Sequence, residues 1–143
     1  MAVPSLDDVR AFFRRAPFIA DLGVDVEAIG AGECTTRLAV GPRLLQHSGQ
    51  VHAGVLTTLA DHTAGAAAQT LAPEGSFVVT VELKISLLRP ARGERLRCSA
   101  RVLKPGKQLS FVEAEVYCAD GDAEHLVAKV SATMAMASLK HLV

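Results

Sequence analysis

The chain has 143 residues, about half of them hydrophobic, and its 15 Lys plus Arg balance 15 Asp plus Glu. That length suits one domain over residues 1–143, with enough apolar content for a core that needs no staples. Zero formal charge excludes a general nucleic-acid binder, and with no uninterrupted apolar run of about 18 residues no membrane-spanning helix is expected.

Residues 5–15 read as a short amphipathic helix with Leu6, Val9, Phe12 and Phe13 on one side. Ser5 is its N-cap, Asp7 and Asp8 fill the first turn, and Pro17 is expected to end it. The acids precede the bases here and no long apolar run follows, so the start does not read as a secretory signal. Residues 22–29 and 33–40 form two strands around Gly30-Ala31-Gly32, a hairpin signal. A polar loop from Gly41 to Val51 leads into an Ala- and Leu-rich helix over residues 52–72, stopped by Pro73 and Gly75.

The remainder is strand. Phe77, Val79, Val81, Leu83, Ile85 and Leu87 alternate strictly, which predicts one face against a core. Leu96, Cys98, Ala100 and Val102 repeat that pattern over residues 95–104, and Lys104-Pro105-Gly106-Lys107 makes a tight turn. Residues 109–118 and 126–136 add two strands around Asp120-Gly121-Asp122. Short turns favour antiparallel neighbours, so the pattern predicts an α+β domain: a bent antiparallel sheet wrapped around one long central helix. Cys34, Cys98 and Cys118 lack Cys-x-x-Cys spacing and read as small buried hydrophobes in a reducing compartment, which places the protein in the cytoplasm.

The central helix carries one acid, Asp61. At about 100° per residue, Val55, Leu56, Leu59, Ala66 and Ala67 share a broad side suited to the sheet. Gly54, Thr57, Thr58, Gly65 and Ala68 surround Asp61 on another side. A solvated helix face would carry Lys, Glu and Arg. This one has small residues, which let a backbone or ligand approach closely. Asp61 lies more than two turns into the helix, too far to serve its dipole. The helix start, in contrast, offers backbone N–H groups to an oxyanion.

These residues fall in an ordered set: Gln46, Gly49, His52-Ala53-Gly54 and Asp61, then Thr80 to Arg89-Pro90-Ala91. The set resembles the loop-helix-strand signature of hotdog-fold acyl-CoA thioesterases of the phenylacetate-degradation type. Their pattern is Asn or Gln, two residues, Gly, two residues, His-Gly-Gly, then an acid eight residues after the first Gly. This chain departs from it in placing Ala53 at that Gly and Gln46 where Asn is commoner.

The resemblance implies a hotdog fold and hydrolysis of an acyl-CoA to free acid and coenzyme A. Asp61 would be the general base or the attacking carboxylate, and the Ala53 N–H would polarise the thioester carbonyl. Gln46 would orient the water or the carbonyl, or else cap its own loop. His52 would meet the thioester sulfur or brace the loop. Thr80, placed opposite the core-facing set, would assist the water or stand solvated. Gly54 and Gly65 leave room for substrate, while Arg89, Lys104 and Lys107 are candidates to meet the phosphates of coenzyme A.

His47, His62, His125 and His141 show no metal-ligand spacing, so neither a metal nor a separate cofactor is expected. A non-catalytic acyl-CoA binder and a hotdog hydratase are the competing classes. The first has no use for an acid on a small-residue face, and the second needs a His–acid motif not found here. Relatives of this type are homodimers or homotetramers, and an unpaired sheet edge favours the same.

Overall fold

The computed structural model describes residues 2–138 and residue 140, and His141 lies outside them. Helix α1 spans Leu6–Arg14 and opens with a capping box: Ser5 Oγ accepts the Asp8 N–H at 3.1 Å, and Asp8 accepts the Ser5 N–H at 3.3 Å. Pro17 does more than end α1. It is the first residue of a second helix, α2 (Pro17–Leu22), where its missing N–H costs nothing. Gly23 closes α2 in the left-handed region at φ 87°. The first strand therefore starts at Asp25 and not at residue 22.

Strands β1 (Asp25–Gly30) and β2 (Glu33–Ala39) form the expected hairpin, followed by a 3-10 turn at Pro42–Leu44. Helix α3 covers Ala53–Gln69, and β3 (Ser76–Leu87), β4 (Arg95–Lys104), β5 (Leu109–Asp120) and β6 (Ala123–Ser138) complete the chain. All neighbours in the single sheet are antiparallel, in the order β1-β2-β4-β5-β6-β3. This is a hotdog fold: six strands curled around α3.

The inner sheet face presents Leu38, Leu96, Val112, Val116, Val130 and Met134 to Leu56 and Leu59 of α3. Leu59 is fully buried, worth about 1.5–3 kcal/mol. Ala60, Ala64, Ala67 and Ala68 are also fully buried and keep the helix surface low, so that strands approach closely. Ala68 thus belongs to the core and not to the face around Asp61. The one buried hydroxyl of α3, on Thr63, donates to the Leu59 carbonyl at 2.6 Å and meets Thr36 Oγ1 at 2.6 Å. The three cysteines are free and buried. Burial pushes the thiols of Cys34 and Cys98 up to about 12, which keeps them neutral and inert.

Strand β3 departs from strict alternation. A bulge between Thr80 and Glu82 inserts one extra residue, Val81, which is 55% exposed. Beyond it, Leu83 and Ile85 pair with the inward Ala132 and Val130, as the pattern predicts. Before it the phase is reversed. Val78 is buried, and Thr80 pairs with fully buried Met134. Phe77 and Val79 therefore point outward, and Thr80 lies on the core-facing side, not opposite to it. Helix α1 spans the gap between the two edge strands. Arg10 Nε donates to Asp25 Oδ1 at 3.1 Å and its Nη2 to the Val26 carbonyl at 3.0 Å, both on β1. Phe12 packs on Phe77 of β3, with ring centroids 6.3 Å apart.

Candidate active site

The reversed phase of β3 has a direct chemical result. Thr80, turned toward α3, donates its hydroxyl to Asp61 Oδ1 at 2.6 Å. Asp61 is half-buried, so its carboxylate has one oxygen held by Thr80 and a second oxygen left to take a proton or attack. The Thr80 hydroxyl also lies 3.3 Å from Met134 Sδ, which fixes its position from below. These two residues are 19 apart in sequence, and the bulge brings them together.

His62, to which the sequence assigned nothing, sits beside this pair. Its ring meets Phe13 of α1 edge-on, with centroids 4.3 Å apart at 75°. Nε2 is buried and has no hydrogen-bond partner among the described residues. Burial lowers its pKa below the ordinary 6.5, against the pull of the neighbouring Asp61 charge. The available signal was a His next to the only acid of an apolar helix, with the apolar stripe of α1 in need of a partner. On the same helix, a Cβ added to Gly65 would meet nothing within 4 Å, so open space lies one turn beyond Asp61.

At the other end of this face, His52 is the N-cap of α3, with extended φ −61° and ψ 138°. Its Nδ1 accepts the Gly54 N–H at 2.8 Å. Gly54 is needed for that approach, since a Cβ there would lie 3.0 Å from Nδ1. The His52 carbonyl takes the N–H groups of Val55 at 2.9 Å and Leu56 at 3.4 Å. Among the described residues, the Ala53 N–H is left without a partner. His52 thus braces the helix start in this chain.

Gln46 caps its own loop: its Nε2 lies 2.5 Å from Ser48 Oγ, and its Oε1 accepts the Ser48 N–H at 3.4 Å. A cleft of about 200 Å³ opens beside Ala53. Gln50, Val51, Ala53 and Leu56 form one wall, and Leu87 to Ala91, including Arg89, form the other. Arg89 is exposed and holds the Leu126 carbonyl at 3.0 Å. Lys104 and Lys107 lie at the opposite end of the molecule. There Val102 donates to the Gly32 carbonyl at 2.8 Å, and the Gly32 N–H reaches Thr70, the C-cap of α3, at 2.7 Å. The helix of 17 residues separates the two ends by about 25 Å. Within one chain, the structure joins Asp61 to Thr80 and Ala53 to the Arg89 cleft. It does not join these two groups to each other, or the two lysines to either.

A sheet curled around one helix, with an acid on the free side of that helix and an open amide at its start, defines a hotdog-fold hydrolase. The chain belongs to the thioesterase superfamily (4HBT), whose family model matches residues 48–124, more than half of its length. A thioesterase family protein from Silicibacter pomeroyi is 34% identical and superposes with a TM-score of 0.89, over 92% of this chain and 97% of that one. A phenylacetic acid degradation-related protein from Ralstonia eutropha, provisionally named a thioesterase, is 28% identical with a TM-score of 0.75, over 84% and 89% of the two chains. A provisionally named esterase of Halobacterium salinarum is 36% identical over 100 residues, 66% of each chain, so the match spans just under two thirds of that relative.

Proposed function

We propose that the protein hydrolyses acyl-CoA thioesters in the cytoplasm, with Asp61 as the reacting acid. The observation that carries this reading is the half-buried Asp61 carboxylate held by Thr80 at 2.6 Å on the free face of α3. Either Asp61 takes a proton from water, whose oxygen adds to the thioester carbon, or the carboxylate adds directly and water cleaves the resulting anhydride. In both routes the carbonyl oxygen becomes an oxyanion that the Ala53 N–H stabilises. Collapse breaks the C–S bond, the sulfur leaves with a proton as coenzyme A, and the acyl group leaves as the free acid. Gln46 reaches the substrate by releasing Ser48. Arg89, Lys104 and Lys107 meet the phosphates, and Gly54 and Gly65 leave the ligand room.

The site is shared between two chains of a dimer or tetramer. Ala53 and Asp61 are eight residues apart on α3, on the order of 12 Å. The carbonyl oxygen and the attacking atom lie only about 3 Å apart at reaction. Two antiparallel helices across a two-fold axis supply Ala53 from one chain and Asp61 from the other. They also bring the lysine end of one chain toward the Arg89 end of its partner. The cleft of about 200 Å³ in a single chain falls short of the roughly 300–1,000 Å³ of small-molecule sites, which fits a half-site.

Complementation tests this. Ala53→Pro removes the donor at the first helical position, after an extended residue as proline requires. Asp61→Asn removes the acid. Each homodimer is expected to lose at least about 100-fold in kcat. Random pairing of the two variants restores about a quarter of parental thiol release, because one site in each mixed dimer is intact. Folded heterodimers without recovery would place each site within one chain, and no thiol release by the parent from any acyl-CoA would overturn the proposed reaction.

A further inference from the structure

The outer face of the sheet changes character along its strands. One stretch is charged and paired within the chain. Lys129 Nζ lies 3.7 Å from Glu113 and 3.8 Å from Glu115, and Arg101 reaches Glu113 at 3.5 Å. The neighbouring stretch is apolar. Leu109 and Phe111 of β5 point outward, 44% and 45% exposed, while Ser110 and Val112 are buried. The register sets Leu109 beside Ala135 and Phe111 beside Thr133 of β6. Ala135 in turn lies beside Val79 of β3, and the exposed Val81 of the bulge follows it. These residues form one contiguous patch across three strands. Single apolar side chains on a surface are ordinary, whereas a contiguous patch marks an interaction site.

The patch has a relief. Strand β5 carries the bulk, Leu109 and Phe111, and β6 carries the small Ala135 and Thr133 in register with them. The charges beyond the patch divide along the same line. Glu113 and Glu115 stand on β5, and Ser131 and Lys129 stand opposite them on β6. Bulk and negative charge on one strand, with hollows and positive charge on the next, make a surface that complements itself. A two-fold axis parallel to the strands and between β5 and β6 lays β5 of one copy over β6 of another. Leu109 and Phe111 then fill the hollows over Ala135 and Thr133, and Glu115 faces Lys129. Facing sheets lie about 10 Å apart, a gap that these long charged side chains span together. Each contact occurs twice, as an isologous interface requires.

We propose that this outer-face patch joins two copies of the chain, with their sheets packed face to face and their strands aligned. The patch lies on the far side of the sheet from α3. It is therefore separate from the contact that brings Ala53 of one chain to Asp61 of another. The smallest closed assembly that uses both two-fold contacts has four chains. That count rests on the shared-site reading above; the outer contact itself does not.

The test is the mass in solution, by sedimentation velocity at micromolar concentration. Phe111→Glu and, independently, Leu109→Glu put a charge into the patch at exposed strand positions, with far-UV circular dichroism to verify the fold. The parent sediments as four chains and each variant as two, with thiol release per chain unchanged. Phe18→Glu, at an exposed apolar residue of α2, leaves the mass at four chains. A parent mass that both patch variants leave intact overturns the outer contact, as does a single-chain parent. A parent of two chains that both variants split into single chains supports the outer contact and overturns the shared site at α3.

Discussion

The two ends of α3 are built to opposite rules. At the C-terminal end every offered group is taken. Thr70 Oγ1 donates to the Ala67 carbonyl and accepts the Gly32 N–H, both at 2.7 Å. Gln69 bridges to β3, donating to the Ser76 carbonyl at 3.1 Å and accepting the Val78 N–H at 3.0 Å. At the N-terminal end His52 takes the Gly54 N–H, the Ala53 N–H stays open, and an apolar cleft faces it. An unpaired amide is a cost to folding that the closed end avoids. Under the proposed function the difference separates scaffold from reaction surface along a single helix: substitutions at the closed end are expected to act on stability, and those serving the open end on turnover.

The largest effect tests the reactive side. Asp61→Asn is nearly isosteric and keeps a group able to accept from Thr80. Unfolding free energy is therefore expected within about 0.5 kcal/mol of parent, as for substitutions that break no packing. kcat falls by about 10²–10⁴-fold from loss of the base alone. Parental turnover in a steady-state thiol-release assay would remove Asp61 from the reaction.

The closed end should show the reverse. Gln69→Leu leaves the Val78 N–H and the Ser76 carbonyl unpaired and is expected to cost about 1–3 kcal/mol in urea unfolding. Its kcat on the same acyl-CoA should stay within about 2-fold. A kcat loss as large as that of Asp61→Asn would erase the distinction between the ends.

The smallest effect concerns the flank. The pKa of His62 is lowered in the fold, so below 6.5 the unfolded chain binds a proton that the folded chain refuses. Stability is thus full above 6.5 and declines as pH falls toward the lowered folded value. The slope contributed by this residue is at most about 1.4 kcal/mol per pH unit. His62→Leu should flatten the unfolding profile between pH 5 and about 6.5; an unaltered slope would mean that other groups set it.

Much of the fold was legible because each signal was local. Ser5 with Asp8, the Gly30–Gly32 turn and the period of two along β4 act within a few residues, and the structure carries each of them. The misreadings share a cause. Pro17 is equally suited to the end of one helix and the start of the next, and only packing of Ile19 into the core selects the second. The bulge at Val81 leaves no Gly or Pro to mark it, because Val suits either side of a strand. Asp61 stood out as a lone acid on an apolar helix. Its link to Thr80 and the burial of His62 under Phe13 depend on the relative placement of three distant segments.

The extra residue in β3 also divides the strand into two stretches that answer to substitution in opposite parity. Upstream of Val81 the even positions Val78 and Thr80 face inward, while Phe77 answers to Phe12 of α1 and Val79 lies on the outer face. Downstream the odd positions Leu83 and Ile85 face inward, and the exposed Glu82 and Lys84 face outward, with Glu82 accepting from the Thr133 hydroxyl at 3.4 Å. Deleting Val81 would bring the two stretches into one phase and set Val78, Thr80, Leu83 and Ile85 on one face of a regular strand, so the hydroxyl beside Asp61 and the apolar seal of Leu83 and Ile85 should both survive. With Val81 in place it is the bulge that holds both stretches to the inner face, since pairing Val81 regularly would turn one of them outward.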